Sequence, residues 1–185
     1  MARCRRLVAG LALILNPATG ALAAQNDACA RMIPAPLAKQ LLAQFPTYRL
    51  PRVDDNSAED VADRQQHGRS ACLRVATGDF DGDGKKDLAV LLTPTPNGPP
   101  RLVAALKRAQ GWQIDVLTTW RGPDLNAYVD AIKPGHYRTD GKPSEPDEVA
   151  EGTSRWSGIV AGTLEASAVA YFRRDGRWVH VWLSD

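Results

Sequence analysis

After an apolar N-terminus, the first regular hydrophobic pattern of the chain is that of one amphipathic helix. Pro34 and Pro36 suit a first helical turn, and Pro46 ends the periodic segment. Between them, apolar residues recur at helical spacing and predict one buried face made of Leu37, Leu41, Leu42 and Phe45. Residues 49–71 are mostly polar, so we expect a loosely packed cover with a short helical turn near 58–62.

From Cys72 onward, short apolar runs alternate with Pro and Gly, which is typical of strands and turns. Four strands are predicted in the middle of the chain, at 73–77, 87–93, 101–107 and 112–118. The last two flank Gly111 as a hairpin. We therefore predict an α+β, β-rich fold, in which an antiparallel sheet of hairpins carries one N-terminal helix.

The C-terminal residues give the clearest pairing signal. Residues 168–173 and 178–183 flank Asp175-Gly176, a favoured two-residue hairpin turn. This turn predicts a register that pairs Phe172 with Val179 and Ala170 with Val181 on one face, and Tyr171 with His180 and Val169 with Trp182 on the other. The first face is aliphatic and fits a core, whereas the second is amphipathic.

A long segment separates this hairpin from the earlier strands. Residues 133–157 contain few apolar side chains, and loops of this length are usually functional or mobile. Tyr137 and Trp156 are the only evident anchors in it. The composition favours a mobile loop, and a functional loop stays open as the alternative.

The N-terminus has the features of an export signal. Three arginines precede an apolar run from Leu7 to Leu15, and small residues follow up to Ala23. The run is too short to span a bilayer, so we predict a signal peptide at 1–23 rather than a membrane span. The remaining residues, 24–185, form a single β-rich domain, and its predicted location is periplasmic or secreted.

Charge and cysteine content narrow the possible partners and the compartment. The formal net charge of +2 includes the three signal arginines, so the mature chain is near −1. A nearly neutral domain gives no electrostatic basis for binding nucleic acid. Removal of Cys4 leaves Cys29 and Cys72, which in an oxidising compartment predict a disulfide. Two independent buried thiols remain the alternative.

The strongest chemical signal is an acidic loop between two predicted strands. Carboxylates stand at loop positions 1, 3 and 5, followed by Gly84 at position 6, a spacing suited to calcium. A helix-flanked calcium loop needs a glutamate at position 12, where this chain has Val90 within a strand. Asp87 at position 9 and the carbonyl of Lys85 at position 7 would complete the shell. An acidic hairpin turn without metal is the alternative.

Residues 78–90 resemble the calcium loop of FG-GAP and VCBS-type repeats, which form blades of β-propellers. The resemblance covers the acids and the flanking hydrophobic residues Leu88, Ala89 and Val90. It implies four side-chain ligands and one carbonyl ligand, namely Asp79, Asp81, Asp83, Asp87 and Lys85. A propeller needs at least four blades, and one motif with room for at most two blades excludes one here.

The sequence favours a binding or interaction module over an enzyme. All five Trp and four Tyr lie in the predicted mature domain, and such residues dominate binding hot spots. The expected partner of this monomer is a protein or an envelope glycan, with calcium mainly structural. The alternative is a calcium-dependent envelope hydrolase that uses the 134–157 loop, with His136 and one of Glu145, Asp147 or Glu148 as acid or base.

Overall fold

The structure is a computed structural model that describes residues 27–120, 126–139, 141–164, 166 and 168–183. The predicted signal peptide at 1–23 lies outside the described residues. Within those residues there are three α-helices: α1 (Ala28–Met32), α2 (Ala35–Gln44) and α3 (Ala58–Gln66). A 3₁₀ turn spans Val53–Asp55. No helix in the described part is both long and apolar enough to cross a bilayer.

The strands of the described chain are, in order, β1 (Tyr48–Arg49), β2 (Val75–Gly78), β3 (Asp87–Pro94), β4 (Arg101–Arg108), β5 (Gly111–Thr119), β6 (Ala127–Ile132), β7 (Gly135–Arg138), β8 (Glu151–Ser154), β9 (Gly158–Thr163), β10 (Ala168–Arg174) and β11 (Arg177–Leu183). All pairings between them are antiparallel. The first sheet has the order β1-β3-β4-β5, with β2 also paired to β3. The second sheet has the order β11-β10-β9-β6, and β7 and β8 form a separate two-stranded hairpin.

These elements stack in four layers around two sheets. One face of each sheet meets the other in the main core, which includes Leu91, Leu102 and Ile159. The opposite face of the first sheet packs against α1 and α2 through residues such as Leu37 and Leu41. Strands β3 and β4 are therefore covered on both sides, which explains why their sequences are apolar throughout instead of alternating. The β-rich α+β class is confirmed, and the sheets do not close into a barrel or propeller.

The predicted N-terminal helix is confirmed, with Pro34 at its N-cap and Phe45 at its C-cap. Leu37 and Leu41 are fully buried, but the prediction for Leu42 is wrong, since this residue is 44% exposed. Leu37, Leu41 and Phe45 are spaced four apart and share the buried face of the helix. Leu42 directly follows Leu41, so its side chain is rotated away from that face.

The polar region after α2 is more ordered than the expected loose cover. Ser57 caps α3 by accepting from the amide of Asp60 at 3.1 Å. Asn56 is buried and donates to the carbonyl of Ala127 in β6 at 2.9 Å. The region also receives the side chain of Arg74, which is 2% exposed and donates to Asn56 Oδ1 at 3.0 Å. Polar hydrogen bonds thus fix this segment to both sheets, in addition to the packing of Leu50 and Val53 against the core under the helices.

The predicted disulfide between Cys29 and Cys72 is present and closes 43 residues. Both cysteines are fully buried in the core beneath α1 and α2. In the chain-entropy description, a crosslink over such a loop stabilises the folded state by about 4 kcal/mol. Helix α1, which contains Cys29, is thus tied covalently to the segment that leads into β2.

The C-terminal hairpin has the predicted register, with Phe172 opposite Val179 and Tyr171 opposite His180. Asp175 and Gly176 both adopt positive φ, at 51° and 77°, as the tight turn requires. Both faces of the hairpin are covered. The amphipathic face carries Tyr171 into the main core, and the aliphatic face forms a smaller core of its own.

Residues 133–157 are not the irregular loop that their composition suggests, because they contain the β7–β8 hairpin. This hairpin covers the aliphatic face of β10 and β11, where the Tyr137 ring lies 6.2 Å from the Phe172 ring. Gly152 packs so closely that an added Cβ would lie 2.4 Å from Cζ of Phe172. After this hairpin's first strand, the chain also contacts β11. The amide of Val149 donates to the carbonyl of His180 at 2.9 Å, and the amide of His180 donates to the carbonyl of Asp147 at 3.0 Å.

Candidate metal centre

Two paired strands hold the acidic loop at its ends. Gly78 at the end of β2 is opposite Asp87 at the start of β3, and residues 79–86 connect them. Gly82 and Gly84 adopt φ of +81° and +76°, a left-handed conformation that residues with a Cβ rarely take. The glycines therefore let the chain turn back so that its carboxylates face one another.

Three of the four predicted carboxylate ligands converge. Oxygens of Asp79, Asp81 and Asp87 lie within 4.8 Å of one another. Asp87 is fully buried, whereas the other two are partly exposed. Hard oxygen donors at this separation are the ligand type that calcium prefers.

Asp87 ties the loop to the sheet as well as to the carboxylate group. Its Oδ1 accepts from the amide of Lys107 at 2.7 Å, and its Oδ2 accepts from the amide of Phe80 at 3.0 Å. Burial raises the pKa of Asp87, and the nearby charges of Asp81 and Asp83 raise it further, against the lowering effect of the two amide donors. A bound cation would reverse this preference and favour the ionised carboxylate.

Asp79 organises the turn itself. Its Oδ1 accepts from the amide of Gly82 at 2.7 Å, and its Oδ2 accepts from the amide of Gly84 at 3.1 Å. Each carboxylate oxygen has a second lone pair, so these bonds leave acceptor capacity for a cation. The same side chain thus shapes the loop and contributes to its charge.

Asp83 is not part of the converging group. Its Oδ1 accepts from the amide of Lys85 at 2.9 Å, and its Oδ2 accepts from Nζ of the same residue at 2.6 Å. The hydrogen bond from the Lys85 side chain is the main cause of a lowered pKa for Asp83. Roles as metal ligands for Asp83 and for the Lys85 carbonyl stay predictions.

The sequence reading missed Arg108, which is the main cationic neighbour of the loop. Its Nη1 donates to Oδ2 of Asp81 at 2.5 Å and lies 3.6 Å from Oδ2 of Asp83. The hydrogen bond with Asp81 raises the pKa of Arg108, so the guanidinium stays charged. The order of the predicted strands held a signal that was not used, since an antiparallel pairing of β3 with β4 places the end of β4 beside the start of β3.

An aromatic side chain packs against the loop from the second sheet's side. A Cβ added at Gly82 would lie 2.3 Å from Cε2 of Trp156, so the indole ring rests directly on the loop backbone. Trp156 is nevertheless 42% exposed. It therefore offers a natural optical reporter for events in the loop.

Among the described residues, no ion pair joins His136 to Glu145, Asp147 or Glu148, and the hydrolase alternative stays a prediction. His136 contacts Thr153 Oγ1 at 3.1 Å and Glu151 Oε2 at 3.5 Å, and the His136 and Glu151 side chains are 54% and 69% exposed. Glu145 is paired instead with His180, at 3.4 Å. Glu148 accepts from the amides of Ser144 and Glu145, the first at 2.6 Å.

No family model, curated protein or solved structure matches this chain. The likeness to FG-GAP repeats therefore rests on the sequence of residues 78–90 alone and stays a prediction.

Proposed function

We propose that this chain is an exported binding module whose Asp79–Asp87 loop holds calcium as a structural staple. The observation that carries the calcium assignment is the convergence of three carboxylates, one of them fully buried, on a loop turned by two glycines. Asp79, Asp81 and Asp87 would hold the ion, with Asp83 and the Lys85 carbonyl as further ligands. Bound calcium would supply fixed positive charge at the loop.

The acidic loop keeps an excess of negative charge that a bound cation would offset. Residues 79–87 carry four aspartates and two lysines, and Arg108 adds a third cation, which leaves a formal charge of −1. Like charges this close destabilise one another, and a cation among the carboxylates would offset that repulsion.

The position of the loop supports a structural role. Phe80, within the loop, is fully buried in the core between the two sheets, and Asp87 is hydrogen-bonded to the backbone of β4. Trp156 reaches the loop from the segment between β8 and β9. A cation here would thus stabilise contacts between both sheets.

Mass action sets the size of the expected effect. Extracellular calcium modules bind with Kd on the order of 10⁻⁴ M. At about 1 mM calcium this corresponds to roughly 1.4 kcal/mol of added stability. For a domain of this size we expect Tm to rise by about 3–6 °C.

The test compares thermal unfolding of the mature protein in calcium, in magnesium and in chelator. Calcium should raise Tm, and Asp81→Asn should abolish the rise. Asp63→Asn, which changes an exposed carboxylate on α3, should retain it. An unchanged Tm in the wild type, together with no calcium in native mass spectra, would disprove the staple.

Terbium provides a second test that reports position. Tb³⁺ binds calcium sites and emits when an adjacent tryptophan is excited, so the Trp156 ring on the loop should sensitise it. Trp156→Phe should remove most of the emission, while Trp182→Phe should not. Equal emission from both variants would place the ion elsewhere.

The binding role is supported by aromatic side chains that folding leaves exposed. Trp156 and Trp182 are 42% and 37% exposed, although large apolar residues are normally buried. The disulfide is compatible with an oxidising, exported location. Capture of an envelope component by the mature protein, lost in a variant lacking one exposed Trp, would test this role.

A further inference from the structure

A cleft of about 420 Å³ lies between the C-terminal end of β5 and the second sheet, remote from the acidic loop in sequence. Its floor is formed by β9, β10 and β11, and its wall by Thr118, Thr119 and Trp120. A smaller hollow of about 150 Å³ adjoins it and shares Glu145, Tyr171 and His180. The volume is within the range of small-ligand sites.

Two indoles give the cleft apolar surface. Trp120 is partly buried and packs against the main core, while Trp182 is 37% exposed on β11. Val169, opposite Trp182 in the register, adds aliphatic surface to the floor. Flat aromatic surface that remains accessible suits a ligand with an apolar face.

Polar side chains line the same cleft and are held in place. Tyr171 is 7% exposed, and its ring lies 5.6 Å from that of His180. The imidazole Nε2 of His180 is 3.4 Å from Oε2 of Glu145, whose side chain is 53% exposed at the mouth. The backbone of His180 is fixed on its other side by residues 147–149. A site whose groups are positioned before binding loses less entropy on binding.

The charged side chains around the cleft limit the net charge of the ligand that it can bind. Among the described residues that line it, Glu145 is the sole carboxylate and none is Lys or Arg. Among these described residues an anion would meet no Lys or Arg and would face Glu145, while a cation would have to displace His180 from that carboxylate. Three threonines, Tyr171, His180 and Glu145 offer donors and acceptors side by side with the two indoles. We infer that this cleft binds a neutral saccharide, whose hydroxyls and apolar ring face match these two kinds of surface.

This inference rests on the proposed role as an exported binding module and names its ligand class. The calcium loop is not part of the cleft, so the two sites can be tested separately.

The experiment titrates the mature protein with neutral disaccharides, cellobiose and diacetylchitobiose, and follows ligand-detected NMR and tryptophan emission. Glucose 6-phosphate and choline serve as anionic and cationic probes. We expect saturable binding of a neutral disaccharide, weakened at least about tenfold by Trp182→Ala. Glu145→Gln should also weaken it, and Leu42→Ala, which shortens an exposed side chain on α2, should not. A neutral soluble glucan, tested in parallel, distinguishes a polymer ligand from a free sugar.

Absence of saturable neutral saccharide binding would overturn the inference, as would binding that is unchanged in both Trp182→Ala and Glu145→Gln. Stronger binding of either charged probe would also overturn it. Capture of an envelope protein through Trp182 without sugar binding would replace it with a protein-binding surface. Near-ultraviolet circular dichroism confirms that each variant is folded. If calcium raises Tm as expected but no sugar binds, only the proposal of saccharide binding is refuted. If sugar binds but calcium does not raise Tm, only the proposal of a structural calcium site is refuted.

Discussion

Arg108 and Asp81 lie 27 residues apart in the sequence and form an ion pair across the candidate metal loop. In the absence of metal, the guanidinium supplies positive charge to a carboxylate that calcium would also require. Arg108 is thus both a stabiliser of the metal-free loop and a competitor for one of its ligands.

Replacing Arg108 by Gln should lower Tm in chelator and enlarge the rise caused by calcium. The pair is partly exposed, so we expect a loss of at most about 1 kcal/mol without metal. Calcium should recover this loss, because Asp81 is then free to bind the ion. Thermal unfolding with and without calcium measures both effects, with Arg174→Gln at the exposed end of β10 as the control. An Arg108→Gln variant with the wild-type calcium shift would show that the two cations do not compete.

The two loop glycines should differ in their tolerance of alanine. Both have positive φ, so either substitution costs about 1–2 kcal/mol in backbone strain. Gly84 has open space where a Cβ would stand, whereas at Gly82 that atom would overlap the Trp156 ring. Gly82→Ala should therefore be the more destabilising of the two in urea unfolding.

The matching double variant separates strain from overlap. In a Trp156→Ala background, Gly82→Ala should lower the free energy of unfolding by about as much as Gly84→Ala lowers it in the wild type. If the difference between the glycines persists, the ring contact is not its cause.

Asp55 should contribute to stability against acid. Burial alone would raise its pKa, but hydrogen bonds from Arg49, the Arg52 amide and Thr93 together lower it below the usual value. The folded state therefore prefers the ionised carboxylate. Its contribution is present above the unfolded-state pKa, about 3.9, and is lost as pH falls through the lower folded-state pKa.

Asp55→Asn should lose about 1–3 kcal/mol at neutral pH and show a weaker acid dependence than the wild type. Asp54→Asn, at the exposed neighbouring position, is the matched control. Urea unfolding from neutral to acidic pH gives the free energies. Parallel curves for Asp55→Asn and wild type would contradict the assignment.

Tyr171 should ionise late in an alkaline titration. Burial raises its pKa to about 12 against a smaller lowering effect of Thr118. Because the folded-state pKa is the higher one, this group stabilises the fold fully below pH 10, and the contribution is lost as pH rises toward 12. Tyrosinate absorbance should show a late component that Tyr171→Phe removes. A wild-type titration without this component would mean that the phenol is accessible to base.

Local signals in the sequence were sufficient for part of the fold. The Asp175-Gly176 turn fixes the register of the last hairpin, because a two-residue turn leaves no freedom in pairing. Prolines set the limits of α2, and the acidic spacing located the loop in which Asp79, Asp81 and Asp87 meet.

Other features depend on contacts distant in sequence. The β7–β8 hairpin contains few apolar residues, and its position follows from the uncovered aliphatic face around Phe172. Gly152 can approach that ring only because it lacks a side chain, which no local pattern reveals. The cleft likewise joins β5 to β11, and His180, read from sequence as an ordinary sheet residue, lies there beside Glu145.

The backbone contact between His180 and residues 147–149 has a consequence for self-association. β11 is a terminal strand of the second sheet, and such strands can recruit strands of other chains through unpaired amides and carbonyls. Both backbone groups of His180 are already used, by Asp147 and Val149, at the centre of that strand. Residues 147–149 thus hinder edge-to-edge aggregation, because a strand of a second copy could not form an uninterrupted row of backbone hydrogen bonds along β11.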